Sequence, residues 1–550
     1  MQLSRCWLFA SWPHLVKMIG GVLVIAVLLT RWTVTLSSDT IEKDELQNLT
    51  MAYNFAMHNV LSLDPPEREP QDVGNLPPNV AIYLDDLSAT NYREPLPCIV
   101  LGIYLKALKL LRGPISFGSL IQGSGARLAK FSNAIWGILL CLSVFATLKV
   151  LTGTYVLAAV GALVVGLNMD IDSLYTESAA AALLALVSFL SMMAIKTRHP
   201  LYYLLAGISM GALILTKAAF LYVSLALVVC FVSWLICRWR HGIHWRAIGL
   251  VLFLFGVTVV VGPWIGRNYY LFGTARVSER GGIVLMYRAL KDQMSWTEYL
   301  GSFYYWAPRG SGLIGKILGF NAADLNKGGR LQRLNREQAD GARNSDGAEG
   351  RAAGHDRSKL GMSWEVSTIG FAEDLAAEEA GLPEAAISYY HRARAERVRL
   401  AQELRQQGHP HPGSAADDQL QKQAMELILA HPIKHLLMMG PFLWRGAPFT
   451  APILAFSAII AIRLRRYDLI AYMLPAIAMV AFHVAVTHNI PRYNAPAQPI
   501  TAVLFIGMAQ ALIIRAWQGY LGNQIRSVGR LLINQLMIRK LVVRLPNKRA

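Results

Sequence analysis

The chain has 550 residues, of which 54% are hydrophobic and only 16% charged, against about 25% charged in an average soluble domain. Its formal net charge of +18 would suit nucleic acid, but the basic residues sit in short connections between long apolar runs. That pattern reads as membrane orientation and argues against a nucleic-acid partner. The five cysteines, Cys6, Cys98, Cys141, Cys230 and Cys237, show neither metal-ligand spacing nor a disulfide framework.

Apolar runs fall at 14–36, 131–149, 153–169, 178–195, 201–216, 218–237, 247–266, 449–462, 469–486 and 496–514. Read as spanning helices, they predict an all-α integral membrane protein. Its fold would be a polytopic bundle of about ten spans, with interfacial helices and an outer helical region. The first run lacks a small-residue cleavage site and reads as an uncleaved anchor. The connections "LKVLTG", "IKTRHP", "CRWRHGIHWR" and "RLRR" carry Lys and Arg but no acid, and residues 515–550 hold eight Lys and Arg and no acid. All of these fall on one face if both termini are cytoplasmic.

The remaining segments then lie outside. Residues 38–95 carry eleven acidic residues against three basic ones. Within them, "DELQNLTMAYNFAMHNVLSL", 44–63, places Leu49, Ala52, Phe55 and Ala56 at helical spacing, so Asp44 and Glu45 open a helix lying against the bilayer. "PCIVLGIYLKALKLLRG", 97–113, has Lys106, Lys109 and Arg112 on one helical face and reads as an interfacial helix. The chain thus divides into a membrane core over 1–284, with an acidic first outer loop at 38–130, and an outer helical region over 285–448. The C-terminal spans, 449–514, and a basic cytoplasmic tail, 515–550, follow. In the outer region, 326–360 is Gly-rich and charged and reads as a flexible loop. Residues 383–408, opened by Pro383, read as a mostly solvated helix, and 417–432 as another.

Unusual polar residues collect at the outer ends of the spans. They are Asp44, Asp170, Asp172, Tyr175, Glu177, Lys217, Arg267 and Arg492, each from a different part of the chain. Ionisable groups gathered at one membrane level are what a membrane-surface active site requires. Simpler roles exist for each. Lys217 suits a snorkelling helix end, Arg267 an interfacial position beside Trp264 and Tyr269, Arg492 a cap with Tyr493, and Glu177 a hydrogen bond within the bundle. Asp170 and Asp172 form the metal-binding pattern D-x-D of soluble nucleotide-sugar enzymes, but on the face where nucleotide sugars are absent. "HPHP", 409–412, has no second cluster at zinc spacing.

Six segments carry a resemblance. The first is the Asp44–Glu45 helix with "LTMAYNFAMHNVLS". "YREPLPCIVLGIYLKAL", 92–108, is similar to an R-x-P-x-Y-P segment, and "LYTESAAAALLALV", 174–187, to an acidic span start. "LAGISMGALILTKAAFLY", 205–222, is similar to G-L-A-x-G-L-x-x-L-T-K. "PWIGRNYYLFGTARVSERGG", 263–282, is similar to P-W-x-x-R-N-Y-x-x-F-G, and "IPRYNAPAQPI", 490–500, to R-Y-x-x-P-x-x-P. In this order they resemble the C-superfamily membrane glycosyltransferases, nearest the bacterial family of protein O-mannosyltransferases and lipid A aminoarabinose transferases. The chain departs from the pattern at 62–66, at Cys98 and at Asn494-Ala495.

The resemblance implies an inverting glycosyltransferase of the cytoplasmic (inner) membrane, working on the outer, periplasmic face. It implies transfer from a polyprenyl-phosphate sugar to a lipid, glycan or protein acceptor of the cell envelope. Asp44, with Glu45, would be the catalytic carboxylate, and Arg267, Lys217 and Arg492 would hold the donor phosphate. Arg93, Glu177, Tyr175, Tyr493 and Asn268 would support them. No cofactor is assigned, a divalent metal being left open. The rival readings are a transporter or lipid-glycan flippase, expected to carry broken helices or an internal repeat, and an O-antigen-ligase-like enzyme.

Overall fold

The computed structural model describes residues 26–41, 44–64, 89–237, 243–307, 312–326, 328–334, 387–409 and 412–516, with isolated positions 21, 24 and 87. The described residues are helical apart from turns and one isolated β-bridge, Thr40 to Gln122.

Among the described residues, six helices are long and apolar enough to cross a membrane: Gly123–Thr152, Glu177–Thr197, Ala219–Ile236, Ala247–Phe272, Tyr467–Val486 and Pro491–Ala516. Pro412–Ala430 and Pro432–Gly446, bent by 101° at His431, make a seventh if they form one broken span. Of the ten expected spans, the described residues supply six or seven by length and composition. The runs at 153–169, 201–216 and 449–462 end as helices of 13, 17 and 14 residues. Much of the run at 14–36 lies outside the described residues.

In chain order, α1 (26–35) leads into α2 (Asp44–His58) and α3 (Pro95–Arg112). The bundle continues as α4 (Ala134–Thr152), α5 (Tyr155–Leu167), α6 (Glu177–Thr197), α7 (Pro200–Thr216), α8 (Ala219–Cys237) and α9 (Ile243–Phe272). The region expected to lie outside holds α10 (Gly281–Ala289), α11 (Trp296–Tyr305), α12 (Tyr389–Gln406), α13 (Pro412–Ala430) and α14 (Pro432–Gly446). Finally α15 (Thr450–Arg463), α16 (Tyr467–Val486) and α17 (Pro491–Ala516) return to the bundle.

Small residues set the closest packing. A side chain at Gly207 of α7 would strike the backbone of Phe253 in α9, and one at Gly256 of α9 would meet Leu204 O at 2.7 Å. Lipid offers no hydrophobic drive between helices, so such close backbone approach is what holds a pair together. Trp32 of α1 is buried and donates its indole N–H to Gly166 O at 2.9 Å, fixing α1 against α5. Helix α3 is not among the candidate spans. It lays Leu101, Leu105 and Leu108 against Leu49, Ala52 and Ala56 of α2 and leaves Leu110 and Leu111 exposed, the amphipathic form expected for 97–113.

Three details of this region differ from expectation. The helix expected from Pro383 starts at Tyr389, capped by Ser388, and buries Tyr389, His391, Leu400 and Leu404, so one face is packed. The helix expected from 417 begins five residues earlier at Pro412; Asp417 within it accepts the α10 N-terminal amides of Gly282 (2.7 Å) and Ile283 (2.9 Å). Of the expected flexible loop at 326–360, residues 328–334 are packed: Leu331 is buried against Gly301, and Arg330 pairs with Asp324 at 2.6 Å. Residues 335–360 lie outside the described residues.

Candidate active site

Helix ends from five parts of the chain meet around Asp44. An acid in the first turn of α2 faces the positive end of its helix, and Asp44 occupies that turn with its side chain turned toward the loop before α3. Its Oδ1 accepts from Arg93 Nη2 at 2.6 Å, and Gln47, one turn on, accepts from Arg93 Nε at 2.9 Å. Asp44 Oδ2 pairs with Arg492 Nη2 at 3.3 Å. Arg492 sits in the first turn of α17, because Pro491 starts that helix and Asn489, at φ 33°, turns the chain into it. The Asn489 side chain holds the turn by donating to Phe442 O at 2.7 Å.

Arg492 Nε lies 3.2 Å from Glu177 Oε1 at the start of α6, and the same oxygen accepts from Lys217 Nζ at 2.9 Å at the end of α7. The Arg492 guanidinium lies 4.5 Å from the Tyr175 ring, and the Lys217 amine 5.3 Å from the Tyr493 ring. The result is an alternating chain of charges: Arg93, Asp44, Arg492, Glu177, Lys217. Three cations face two carboxylates, which leaves the chain a cation in excess. Arg93 is 7% exposed, and Lys217 and Glu177 are 12% and 15% exposed, whereas Asp44 and Arg492 keep about a third of their surface in water. Asp44 and Arg492 are therefore the members of the chain open to solvent.

Burial pushes the Asp44 carboxyl up, but Arg93, Arg280 and Arg492 outweigh it and hold it at about 2. Glu45 behaves oppositely. Burial is its largest influence, and Asp170 and Asp172 add like charge against the opposing pull of Lys130, so it is raised to about 7. Glu45 thus belongs to a separate group with Lys130, Asp170 and Asp172 and does not join the Asp44 chain.

Asp170 and Asp172 are used as struts. Asp172 accepts from Ser38 N (3.0 Å) and Lys130 Nζ (3.4 Å), and Asp170 accepts from Asp172 N (3.0 Å) and Ser173 Oγ (2.8 Å). They tie the stretch before α2 to the turn before α6. Among the described residues no group of three or more His, Cys, Asp or Glu is placed to hold a metal ion.

Arg267 stands apart from the alternating chain. Helix α9 runs on past residue 266 to Phe272, so Arg267 projects from a helix, 4.5 Å from the Trp264 ring. It donates to Asn268 Oδ1 (2.9 Å) and Thr90 O (3.4 Å). Through Thr90 it steadies the loop that carries Arg93. Asn268 is buried and donates to Arg276 O at 2.7 Å, closing the turn after α9.

Four contributors escape the sequence reading. Gln47 orients Arg93. Arg280 lies 5.2 Å from the Tyr92 ring and is charge-coupled to Asp44. His483 and His488 flank Tyr493 at ring distances of 5.4 and 5.1 Å. Arg280 was detectable as a basic residue beside the matched "RNYYLFG" segment, on the face otherwise rich in acid. Gln47 carries no signal beyond its place one turn after Asp44. No protein-family model matches the chain, and no curated protein matches it.

Proposed function

We propose that the chain is an inverting membrane glycosyltransferase that takes its sugar from a polyprenyl phosphate at the outer, periplasmic face of the cytoplasmic membrane. The observation that supports this most directly is the alternating chain Arg93–Asp44–Arg492–Glu177–Lys217, assembled at helix ends beside apolar spans. The isoprenoid tail stays in lipid while the phosphate meets Arg492 and Lys217. The acceptor hydroxyl then attacks the anomeric carbon from the opposite side. Its oxygen forms the new glycosidic bond, its proton passes to Asp44 Oδ2, and the bond from the anomeric carbon to the phosphate oxygen breaks. The electron pair leaves with the phosphate, whose added charge the cations stabilise. The acceptor is a lipid, glycan or protein of the envelope.

One observation favours a transporter or flippase: the 101° break between α13 and α14 is a discontinuous helix of the kind such proteins use. Against it, α13 packs on α10 and α12 in the outer region and spends Asp417 on capping α10. A single assay separates the readings. Purified full-length protein in lipid nanodiscs receives an acceptor extract and either a polyprenyl-phosphate sugar or a nucleotide sugar. Transfer from the lipid-linked donor alone is expected. Transfer from the nucleotide sugar with no lipid carrier, or movement of lipid-linked sugar across a bilayer without any transfer, overturns the proposal.

A further inference from the structure

A second cationic group is connected to Lys217 through Tyr493, His488 and Arg445. Lys291 sits in the 3-10 turn Leu290–Gln293 that follows α10, and is 8% exposed. Its amine lies 5.2 Å from the Phe442 ring and 5.7 Å from the Trp306 ring, and those two rings stack at 5.2 Å. Arg445 lies 4.7 Å from Trp306, and Arg288 4.7 Å from Phe442. The nearby carboxylate, Asp292, is already committed: it pairs with Arg288 at 2.6 Å and with His435 at 2.6 Å. Among the described residues, the charged neighbours acting on the Lys291 amine are Arg445 and Arg288, both of its own sign. Burial first, then these two guanidinium groups, drive that amine well below the ordinary range for lysine.

A buried lysine facing two arginines and two rings is costly to keep charged unless an anion joins it. Trp306 is half-buried and offers a flat apolar face of the kind that stacks on sugar C–H groups, with the fully buried Phe442 packed behind it, so cations and ring together suit a charged saccharide. The link to the first site is short. Arg445 donates to His488 O at 3.0 Å, and the His488 ring lies 5.1 Å from that of Tyr493, against which Lys217 rests. The donor phosphate is already served by Arg492 and Lys217, so a second set of cations beyond Tyr493 has a different anion to meet. We infer that Lys291, Arg445 and the Trp306–Phe442 pair form an acceptor subsite, which recognises an oxyanion, a phosphate or a carboxylate, borne on a saccharide. This inference rests on the glycosyltransferase reading for the word acceptor, while the oxyanion site itself does not.

The test uses full-length protein in nanodiscs and measures no transfer, so its failure is separable from failure of the proposed function. Lysine acetylation by acetic anhydride is followed by mass spectrometry with a hexose 1-phosphate, glucuronate, the neutral hexose or a short-chain polyprenyl phosphate present. The hexose 1-phosphate, glucuronate or both should slow acetylation of Lys291 about fivefold or more, while the neutral hexose and the polyprenyl phosphate leave it unchanged. Lys291→Met should weaken binding of the protecting saccharide about tenfold or more, keep polyprenyl-phosphate binding within about twofold, and leave the melting temperature equal or higher. Acetylation of Lys291 at one rate under all conditions, or wild-type saccharide binding by Lys291→Met, would show a neutral structural lysine and overturn the inference. Protection by the polyprenyl phosphate alone would hand the cations to the donor and overturn it equally.

Discussion

Asp44→Asn tests the site at its centre. Asparagine keeps the shape of the side chain but neither takes a proton as a carboxylate does nor neutralises two guanidinium groups. The drop from the ordinary 3.8 to about 2 corresponds to roughly 2 kcal/mol of interaction. Because a third of the side chain remains in water, about 1–2 kcal/mol survives screening. The sign follows from a lowered folded-state value. This stabilisation is present above about pH 4 and is lost as pH falls toward 2, so Asn should lower the unfolding midpoint at pH 7 and close the gap to wild type near pH 2. Catalysis should suffer far more, with transfer falling roughly 10²–10⁴-fold. Donor binding should hold or tighten, since Arg492 loses a competing carboxylate. Asp39→Asn is the control from the same acidic stretch: Asp39 pairs with Arg127 at 3.0 Å, both about half exposed, a pair worth at most about 1 kcal/mol. Transfer rates and donor affinities of both variants, measured in nanodiscs with a polyprenyl-phosphate sugar, decide the matter. Equal behaviour of the two variants refutes the base assignment, and a collapse of donor binding in Asp44→Asn would recast Asp44 as a clamp on Arg492.

A reporter active only outside the cytoplasm should work when fused after Ser62 or Gly408 and stay silent after Arg240 or Arg466; the opposite pattern would place the site on the other membrane face. Arg492→Ala should cost about 10²-fold in turnover and Arg492→Lys should recover only part of it, because a point charge replaces a two-pronged donor; Arg267→Ala, which loosens the Thr90 loop without touching the charge chain, should cost less than about tenfold, and a larger loss would return Arg267 to the phosphate site. Glu45→Gln probes the raised carboxyl: a folded-state value near 7 means that wild-type stability declines as pH rises from about 4.5 to about 7. The variant should therefore gain on wild type at pH 8, by on the order of 3 kcal/mol, and match it at pH 4.5. A pH-independent difference in thermal midpoints would show that burial of Glu45 is not what its partners imply.

The sequence exposes parts of this site and hides others for physical reasons. Asp44, Glu177, Lys217 and Arg492 are legible because ionisable groups at the ends of apolar runs are rare and costly. In the fold all four meet. Their pairing is not legible, since Asp44 and Arg492 meet across 448 positions and only the fold brings them together. Arg93 is legible through its segment, but Arg280 and the Arg288–Asp292–His435 group look like ordinary loop charges until their burial is seen. Helix length is less legible than apolar run length, for a geometric reason. Apolar run length measures composition, while spanning depends on where a helix starts and stops, as at Thr154 and Asn168 around the 13-residue α5. Small residues at 207, 211 and 256 are visible in the sequence, but which helices they join is decided by the packed bundle.

The alternating chain has a further consequence for the order of events under the proposed function. Without donor, Glu177 and Asp44 are the anions that Arg492 and Lys217 hold, so both carboxylates occupy the place of a phosphate. A phosphate ester arriving from the lipid brings its charge to the same two cations and competes with those carboxylates. As Arg492 turns to the phosphate, Asp44 keeps Arg93 but loses one of its three stabilising cations, and its proton affinity rises from a low resting value. A carboxylate near pKa 2 is a poor base, whereas one partly released is a better one. Donor binding thus readies the base, and Gln47 keeps Arg93 from following Asp44 as the pairing changes. Asp44 is thus kept ionised chiefly by Arg93, with Arg280 and Arg492 adding to it, and under the proposed function it is the Arg492 share that the donor claims.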